Sequence, residues 1–419
     1  MKFKTKFLSV IFIIMAQVSC LAQISSSYSR IGIGDMDYTY SPRRMGMGQL
    51  GASLLDPDFI SLLNPASLSS LRSTRTELGM RYNALSLSNN NASAKSASTD
   101  FTGGTIAVPI SQKYGISLAA GLLSYSRVSY KENNNYKASG NIPADYTINY
   151  EGNGGLSRIF LATSFKFPFD LRLGASVDYY FGNINYYSKL RFINDVSLAG
   201  ADYDSRVRPR GFSSTIGAVT PDIAKLFDSE AITDFRIGAA FSFSSDLKAD
   251  TSLITTSILG EDTLRTASVN LHLPYRLVVG ASFLLQKKYM FTFDYLYQPW
   301  SKYSLNGKNN GYLRDSYKMS SGFEYRPESK VGQSFWEQII WRAGLSFEQT
   351  QYNINGHGIN EYSVMGGFSF PLSYQNTFDI ALQYSIRGTK DANLFQEKIL
   401  RLSAGVSLGE LWFIRHDNY

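Results

Sequence analysis

The chain has 419 residues, a formal net charge of +7 and a single cysteine, Cys20. Charged residues make up 18% of the chain and aromatic residues 14%, and no run of Lys or Arg stands out. This balance argues against a protein that binds nucleic acid through a basic patch. It favours either a membrane β-barrel or an array of soluble β-sandwiches.

Residues 1–22 have the three parts of a secretory signal peptide: a Lys-rich start, an apolar run, and small residues before a cleavage point after Ala22. The competing interpretation is a lipoprotein acylated at Cys20. Removing residues 1–22 leaves 38 basic and 34 acidic residues, a net charge of +4, and no cysteine. The sequence therefore predicts an exported protein in which disulfides and thiol chemistry play no part.

Residues 23–74 are predicted to form an N-terminal hatch. Within them, the stretch 41–71 shows neither the alternation of a strand nor the apolar stripe of a helix, and it is broken by Pro42, Pro57 and Pro65. Its glycines and alanines allow close contact with a surrounding wall, and its Met and Leu side chains fill irregular space. We therefore expect this stretch to plug a barrel from inside.

Residues 75–419 predict about fourteen antiparallel strands, an even number typical of bacterial outer-membrane barrels. Alternation is clearest in residues 289–297, where five aromatic side chains share one face, and in residues 377–387. The opposite faces carry Gly, Ser and Ala with single Asp or Arg residues, which favours a crowded lumen over a water-facing sheet. After residue 22, no apolar run approaches the roughly 18 residues of a transmembrane helix.

The connections between these strands alternate between long and short, as in barrels with external loops and short periplasmic turns. The predicted external loops are 89–98, 131–154, 193–205, 251–264, 304–314, 353–358 and 388–396. The predicted turns lie near 111–113, 168–170, 286–288 and 373–376, while 221–232 and 327–336 are longer than the rule allows. At the end of the chain, Trp412, Phe413 and Tyr419 are expected at the periplasmic rim. A barrel of about fourteen strands leaves a hole through its centre, and we expect the hatch to fill it.

Several charged residues are expected to face the lumen: Asp178, Asp234, Asp294, Asp379, Arg172, Arg236, Arg342, Arg387 and Arg401. They form either a polar gate or, the interpretation we favour, paired charges that hold the wall to its plug. Gly103 and Gly104 mark either a kink that opens the wall sideways or a contact with the plug. The three histidines lie far apart, and no nucleophile motif appears, so we predict no metal, no cofactor and no enzyme.

Three stretches resemble the FadL/TodX family of outer-membrane transporters for long-chain fatty acids and hydrophobic compounds. A family hairpin pattern is matched by Leu273-Pro274, Gly280-Ala281-Ser282-Phe283, Asp294-Tyr295 and Trp300. Asn64-Pro65-Ala66 looks like the family's hatch element, and Gly174-Ala175-Ser176-Val177 through Phe181-Gly182 is similar to a common family strand. The residues of the family's ligand-binding external loops find no residue-by-residue match.

The resemblance implies an all-β fold: a transmembrane antiparallel barrel of about fourteen strands with a hatch in its lumen. It implies passive uptake of hydrophobic small molecules across the outer membrane of a Gram-negative cell, with Asn64, Pro65 and Ala66 as candidates for hatch gating. The alternative is an accessory barrel of the same family that binds or shuttles exported proteins. Expected partners are outer-membrane lipid, a hydrophobic ligand and, in the alternative, secretion-system proteins, but no nucleic acid.

Overall fold

A computed structural model describes residues 26–410, apart from 91, 140–143, 194–197, 228–230, 259, 310, 328–333 and 374. The predicted signal peptide with Cys20 and the C-terminal residues His416, Trp412, Phe413 and Tyr419 lie outside the described residues. Within the described part of the chain, no helix is long and apolar enough to cross a membrane.

The first described residues form the hatch, a chain of short elements that packs against the inner face of the strands. These elements are the 3-10 helix Ser27–Arg30, strand β1 (Asp35–Met36), helix α1 (Pro42–Met45) and the 3-10 helix Pro65–Ser70. Pro42 and Pro65 each occupy the first position of a helix, where a missing N–H costs nothing. Because the elements are so short, contacts with the wall rather than local propensity must hold the hatch in place.

The remaining strands form a closed antiparallel barrel, as predicted. They are β2 (Thr74–Ser88), β3 (Ser93–Ser111), β4 (Ile116–Tyr136), β5 (Tyr146–Lys166), β6 (Arg172–Phe192), β7 (Ala201–Val219), β8 (Ile232–Ser242), β9 (Ser245–Ser257), β10 (Gly260–Leu273), β11 (Arg276–Leu285), β12 (Tyr289–Gln298), β13 (Ser304–Leu305), β14 (Ser316–Tyr325), β15 (Ile340–Ile354), β16 (His357–Pro371), β17 (Thr377–Arg387) and β18 (Gln396–Glu410). The ladder between β18 and β2 closes the barrel, so the described sheet does not end in an edge strand.

Within the described residues, these segments amount to fourteen barrel strands, because two of them are interrupted. Along β7, residues 202–210 pair with β9 and residues 215–219 pair with β8. On the other side, β10 pairs with β9 and β11 pairs with β8. The interruption between β10 and β11 falls at Pro274, which has no backbone N–H to donate to a ladder. The short strand β13 pairs with the end of β10.

Four further 3-10 helices lie in connections, at Ile223–Leu226, Trp300–Lys302, Trp336–Gln338 and Asp391–Asn393. The predicted short turns near 111–113, 168–170 and 286–288 are confirmed, while the one at 373–376 includes residue 374, which lies outside the described residues. The long connection after β7 contains the first of these helices. The connection after β14 is described only in part, because residues 328–333 lie outside the described residues.

The alternation read from the sequence is confirmed by which side chains are exposed. In β17, Leu382, Tyr384 and Ile386 point outward and are exposed, while Gln383 and Ser385 are buried in the lumen. In β12, Phe293 and Tyr295 are exposed, and Thr292 and Leu296 are buried. Because successive residues of a strand face opposite sides, each strand presents an apolar outer face and a polar inner one.

Four predicted loops are wrong in extent. β3 begins at Ser93 within the predicted loop 89–98, and β7 begins at Ala201 within the predicted loop 193–205. Much of 131–154 is strand, since β4 continues to Tyr136 and β5 begins at Tyr146, and within 251–264 only residues 258–259 separate β9 from β10. These strand ends are rich in Asn, Thr and charged residues on both faces. Past the apolar belt the outer face of a strand loses its apolar residues, so the alternation that identifies a strand disappears.

Candidate functional site

Asn64, the centre of the predicted hatch element, joins the hatch to the wall. Its side chain is fully buried, and Nδ2 donates to the carbonyl oxygens of Ala52 at 2.7 Å and Ala218 at 3.0 Å. Its Oδ1 accepts the N–H of Ala66 at 3.0 Å, which caps the following 3-10 helix. One side chain therefore ties two parts of the hatch to strand β7.

Two wall glycines make room for this element. A Cβ built on Gly217 would lie 2.0 Å from Asn64 Oδ1, and one built on Gly174 would lie 2.3 Å from the backbone of Pro65 and Ala66. Both distances are far below van der Waals contact, so only glycine allows this approach. Two of the three stretches that carry the family resemblance, residues 64–66 and 174–182, thus meet in space.

Gly103 lies at a bulge and at a hatch contact at once. Gly79 pairs with Gly103 while Met80 pairs with Phe101, so Thr102 is an extra residue in β3. The Thr102 hydroxyl donates to the carbonyl of Tyr40 in the hatch at 2.9 Å. The structure contains the features of both interpretations of Gly103 and Gly104. The bulge is an irregularity in the wall, and the hatch approaches the wall closely at the same place.

Above this bulge, the wall opens between β3 and β4. The ladder between the two strands joins residues 103–111 to residues 116–123. Among the described residues, no ladder joins 93–102 to 124–136. The backbone of β1 pairs with β4 there instead, Asp35 opposite Arg127 and Met36 opposite Ser126. We call this separation the side opening.

The hatch residues 29–37 lie along the free edge of β4 at the side opening. The N–H of Ser129 donates to Ser29 Oγ at 3.1 Å, and the N–H of Asp37 donates to the carbonyl of Tyr125 at 3.0 Å. These bonds satisfy backbone groups that the neighbouring barrel strand leaves unpaired. The hatch therefore lies where β3 would otherwise pair with β4, but it makes fewer backbone hydrogen bonds to β4 than a full strand would.

Four charged side chains bridge the side opening, and we call them the opening cluster: Asp37, Arg81, Asp100 and Arg127. Arg81 lies 2.5 Å and Arg127 3.5 Å from the Asp37 carboxylate, and Arg127 also pairs with Asp100 across the gap. Burial alone would raise the pKa of Asp37, but the two guanidinium groups and a hydrogen bond from Ser124 hold that pKa well below its usual range. Asp37 is therefore ionised at neutral pH.

Sequence reasoning missed the opening cluster. Its members come from the hatch and from three strands, and their pairing depends on how the barrel closes. The sequence did contain one signal for it. Arg81 and Asp100 occupy alternate, inward-facing positions of their strands, where the other side chains are mostly small or polar.

A second group of buried charges fixes the base of the hatch. Arg43 Nη2 lies 2.7 Å from Asp56 within the hatch and 3.0 Å from Glu324 of β14. The same Glu324 accepts a hydrogen bond from Arg342 Nε at 2.6 Å. Ion pairs out of contact with water are costly to break, because each partner would be left as an isolated buried charge.

The charges that the sequence placed in the lumen have partners, two of them in the hatch and the others within the wall. Arg387 Nη1 lies 2.8 Å from Asp35, and the Asp294 carboxylate accepts the N–H of Ala52 at 2.8 Å. Other members pair within the wall: Asp178 with Arg158, Asp379 with Arg342, Asp234 with Arg236, Arg172 with Asp170, and Arg401 with Glu361. This arrangement supports the interpretation that the charges hold the wall to its plug.

An apolar and aromatic cluster fills the lumen at the end that carries the long connections. It joins Tyr28 and Ile33 of the hatch to Val128 and Tyr130 of β4, next to the side opening. Its other large members are Tyr125, Leu156, Tyr180, Ile184, Leu247, Leu271, Trp300, Tyr303, Tyr352 and Ile359. We call it the aromatic cluster, and such a surface suits hydrophobic ligands better than ions.

Two small cavities lie deeper, between hatch and wall. The outer one, of about 80 Å³, is lined by charged residues that include Asp35, Lys318 and Glu348. The inner one, of about 30 Å³, is lined by Arg44, Arg158 and Arg276 among others. Both are polar, unlike the aromatic cluster above them.

Within the described ranges, no group of three or more His, Cys, Asp or Glu side chains is placed to hold a metal ion. His272 lies at the surface and pairs with Asp246 at 2.7 Å.

Comparison with known proteins places the sequence in a family. A family model described as BamG matches residues 3–417. The chain belongs to the BamG family. No curated protein matches the sequence.

Solved structures similar to this BamG-family chain show its fold. The CymD monoaromatic hydrocarbon channel matches with a TM-score of 0.58 at 18% identity, covering 88% of this chain and 97% of that one. A Pseudomonas aeruginosa FadL homologue matches with a TM-score of 0.57 at 15% identity, covering 89% and 99%. The Pseudomonas putida toluene transporter TodX matches with a TM-score of 0.56 at 15% identity, covering 90% and 98%. The FadL/TodX resemblance is thus confirmed for the fold.

Proposed function

We propose that this BamG-family protein lies in the outer membrane of a Gram-negative cell and admits hydrophobic small molecules passively. Large apolar side chains are exposed around the barrel, among them Phe212, Leu161, Tyr362 and Val364. An outward apolar belt on a closed barrel is the arrangement that lipid requires. Membrane fractionation of cells that produce the protein tests the location.

The observation that carries the proposed transport is the position of the side opening beside the aromatic cluster. Val128 and Tyr130 belong to the cluster and lie on the stretch of β4 that has no ladder to β3. A hydrophobic molecule held by the cluster would reach the bilayer through the wall without crossing the polar cavities below. Three solved structures of similar fold are named as hydrocarbon channels or toluene transporters, which supports this class of ligand.

Gating then divides the hatch into a moving and a fixed part. Residues 29–37 are held by hydrogen bonds to β4, by the opening cluster and by the ion pair between Asp35 and Arg387. Their release must break these contacts and would expose the side opening. Asn64, Pro65 and Ala66 would stay against β6 and β7, because Asn64 is buried and fully bonded. The ladder between β3 and β4, which ends at Gly103, would remain as the lower border of the opening.

Uptake of a radiolabelled fatty acid or monoaromatic hydrocarbon by cells with and without the gene tests this function. The proposal predicts slower uptake in the deletion strain and recovery when the gene is restored. Equal uptake in both strains, at matched levels of other barrels, would contradict it.

The second candidate is an accessory barrel that binds exported proteins, and the small volume of the two cavities between hatch and wall favours it. The two cavities of about 80 and 30 Å³ are smaller than typical ligand pockets of about 300–1,000 Å³. Buried ion pairs also fix the base of the hatch, as a static barrel would need. In this case the deletion would strand exported proteins in the periplasm and leave hydrophobic uptake normal.

A further inference from the structure

The inner cavity brings together three arginines from separate elements. Arg44 comes from helix α1 of the hatch, Arg158 from β5 and Arg276 from β11, and the cavity measures about 30 Å³. This volume holds one or two water-sized species, since a water needs roughly 10–15 Å³ measured in this way. It is too small for phosphate, sulfate or an organic carboxylate.

Arg44 lacks hydrogen-bond partners although it is buried. It is 5% exposed, and neither Nη1 nor Nη2 has a hydrogen-bond partner among the described residues. The carboxylate that pairs with it, Asp56, lies 3.8 Å away and is already shared with Arg43 at 2.7 Å and Arg326 at 3.6 Å. A guanidinium with free N–H groups in the interior is costly unless an acceptor is supplied.

Arg276, from the wall, is also buried and has one nitrogen without a hydrogen-bond partner within the described ranges. It is 6% exposed, and its Nε has no hydrogen-bond partner in the part of the chain that the structure describes. Arg158 pairs with Asp178 at 3.1 Å. The carboxylate that lines the cavity, Asp37, is held by Arg81 and Arg127 of the opening cluster. Positive charge around the cavity therefore exceeds the negative charge available to neutralise it.

We propose that the inner cavity binds one small inorganic anion of the halide class, with chloride as the occupant. A monoatomic anion matches the volume and accepts hydrogen bonds from several directions, so it can serve Arg44, Arg276 and Arg158 together. It would link the hatch to strands on two sides of the lumen, and it would act as a structural ion. This site is independent of whether the barrel transports hydrophobic molecules.

Bromide replaces chloride in such sites and scatters X-rays anomalously, which gives a direct test. Crystals of the full chain grown or soaked in sodium bromide should show an anomalous peak between the three guanidinium groups. A cavity that contains only water, with no anomalous peak there, would overturn the proposal.

Thermal unfolding in detergent supplies a test that needs no crystal. Replacing gluconate, which is too large for the cavity, by chloride at constant ionic strength should raise the unfolding midpoint as chloride increases. The Arg276→Gln variant should lose this dependence, and Arg210→Gln, which alters an exposed arginine paired with Asp250, should keep it. If Arg276→Gln does not fold, the wild-type titration still decides, because a midpoint that is insensitive to chloride refutes the site.

Discussion

At the scale of single residues, the contact between Asn64 and Gly217 is the most sharply defined part of the hatch. Gly217→Ala would place a Cβ 2.0 Å from Asn64 Oδ1, so hatch or wall must shift. Overpacking of this kind costs about 1–3 kcal/mol. The matched control is Gly366→Ala, whose new Cβ would have its nearest neighbour, the Arg342 carbonyl oxygen, at 3.8 Å. Thermal unfolding should show a lower midpoint for the first variant and little change for the second.

Asn64→Ala tests the hydrogen bonds of the same contact. The change removes two donors and one acceptor from a fully buried position and leaves the carbonyl groups of Ala52 and Ala218 without this donor. We expect a loss of about 2 kcal/mol in the free energy of unfolding. Asn90→Ala, in an exposed connection, is the control, and an equal loss in both variants would show that Asn64 does not anchor the hatch.

Asp37 makes the opening cluster sensitive to acid in a defined direction. Its pKa is lower in the folded protein than in the unfolded chain, so the stabilisation is present above the unfolded value of about 3.9 and is lost as the pH falls toward the folded value. The labelling rate of a cysteine placed at Met36, divided at each pH by the rate for free cysteine because only the thiolate reacts, should be equally low from pH 8 to pH 5 and higher below about pH 4. With Asp37→Asn added, this relative rate should be high throughout, and a relative rate for the Met36 cysteine that changes between pH 8 and pH 5 would show that Asp37 does not control the opening.

At the scale of elements, strands whose two faces meet different surroundings were predictable and mixed strand ends were not. Residues 289–297 and 377–387 alternate because one face meets the apolar exterior and the other the lumen. The ends of β4 and β5 carry polar residues on both faces, so periodicity gives no sign that the strands continue. The hatch was recognisable by its lack of periodicity, but its short helices were not, since wall contacts hold them.

The candidate site was predictable only in part, for a related reason. Asn64-Pro65-Ala66 and Gly103 are local signals, and the structure finds hatch contacts at both. The side opening depends on which residues of β3 and β4 fail to pair, and the opening cluster depends on residues far apart in sequence. Such features arise from barrel closure and are absent from any single stretch.

At the scale of the whole molecule, the hatch is what closes the lumen. A fourteen-stranded barrel is wide enough for an aqueous hole, and residues 41–71 contribute Met45, Met47 and Leu54 to its filling. Deleting residues 41–71 should leave a barrel that folds and admits large polar solutes into liposomes. Unchanged permeability in the folded deletion variant would show that the hatch is not the barrier.

Passage of a hydrophobic molecule through the wall requires release of residues 29–37 from the side opening, and a disulfide tests this release directly. Met36 and Ser126 are opposite one another in the pairing of β1 with β4, so Met36→Cys with Ser126→Cys can lock the hatch to the wall. Val364→Cys with Tyr384→Cys, a pair on the outer face of β16 and β17, is the control.

The measurement is uptake of a labelled hydrophobic compound by vesicles that contain each oxidised variant. Uptake should fall to the level of empty vesicles for the locked hatch, recover after reduction, and stay normal for the control. Undiminished uptake with the disulfide formed would contradict passage through the side opening.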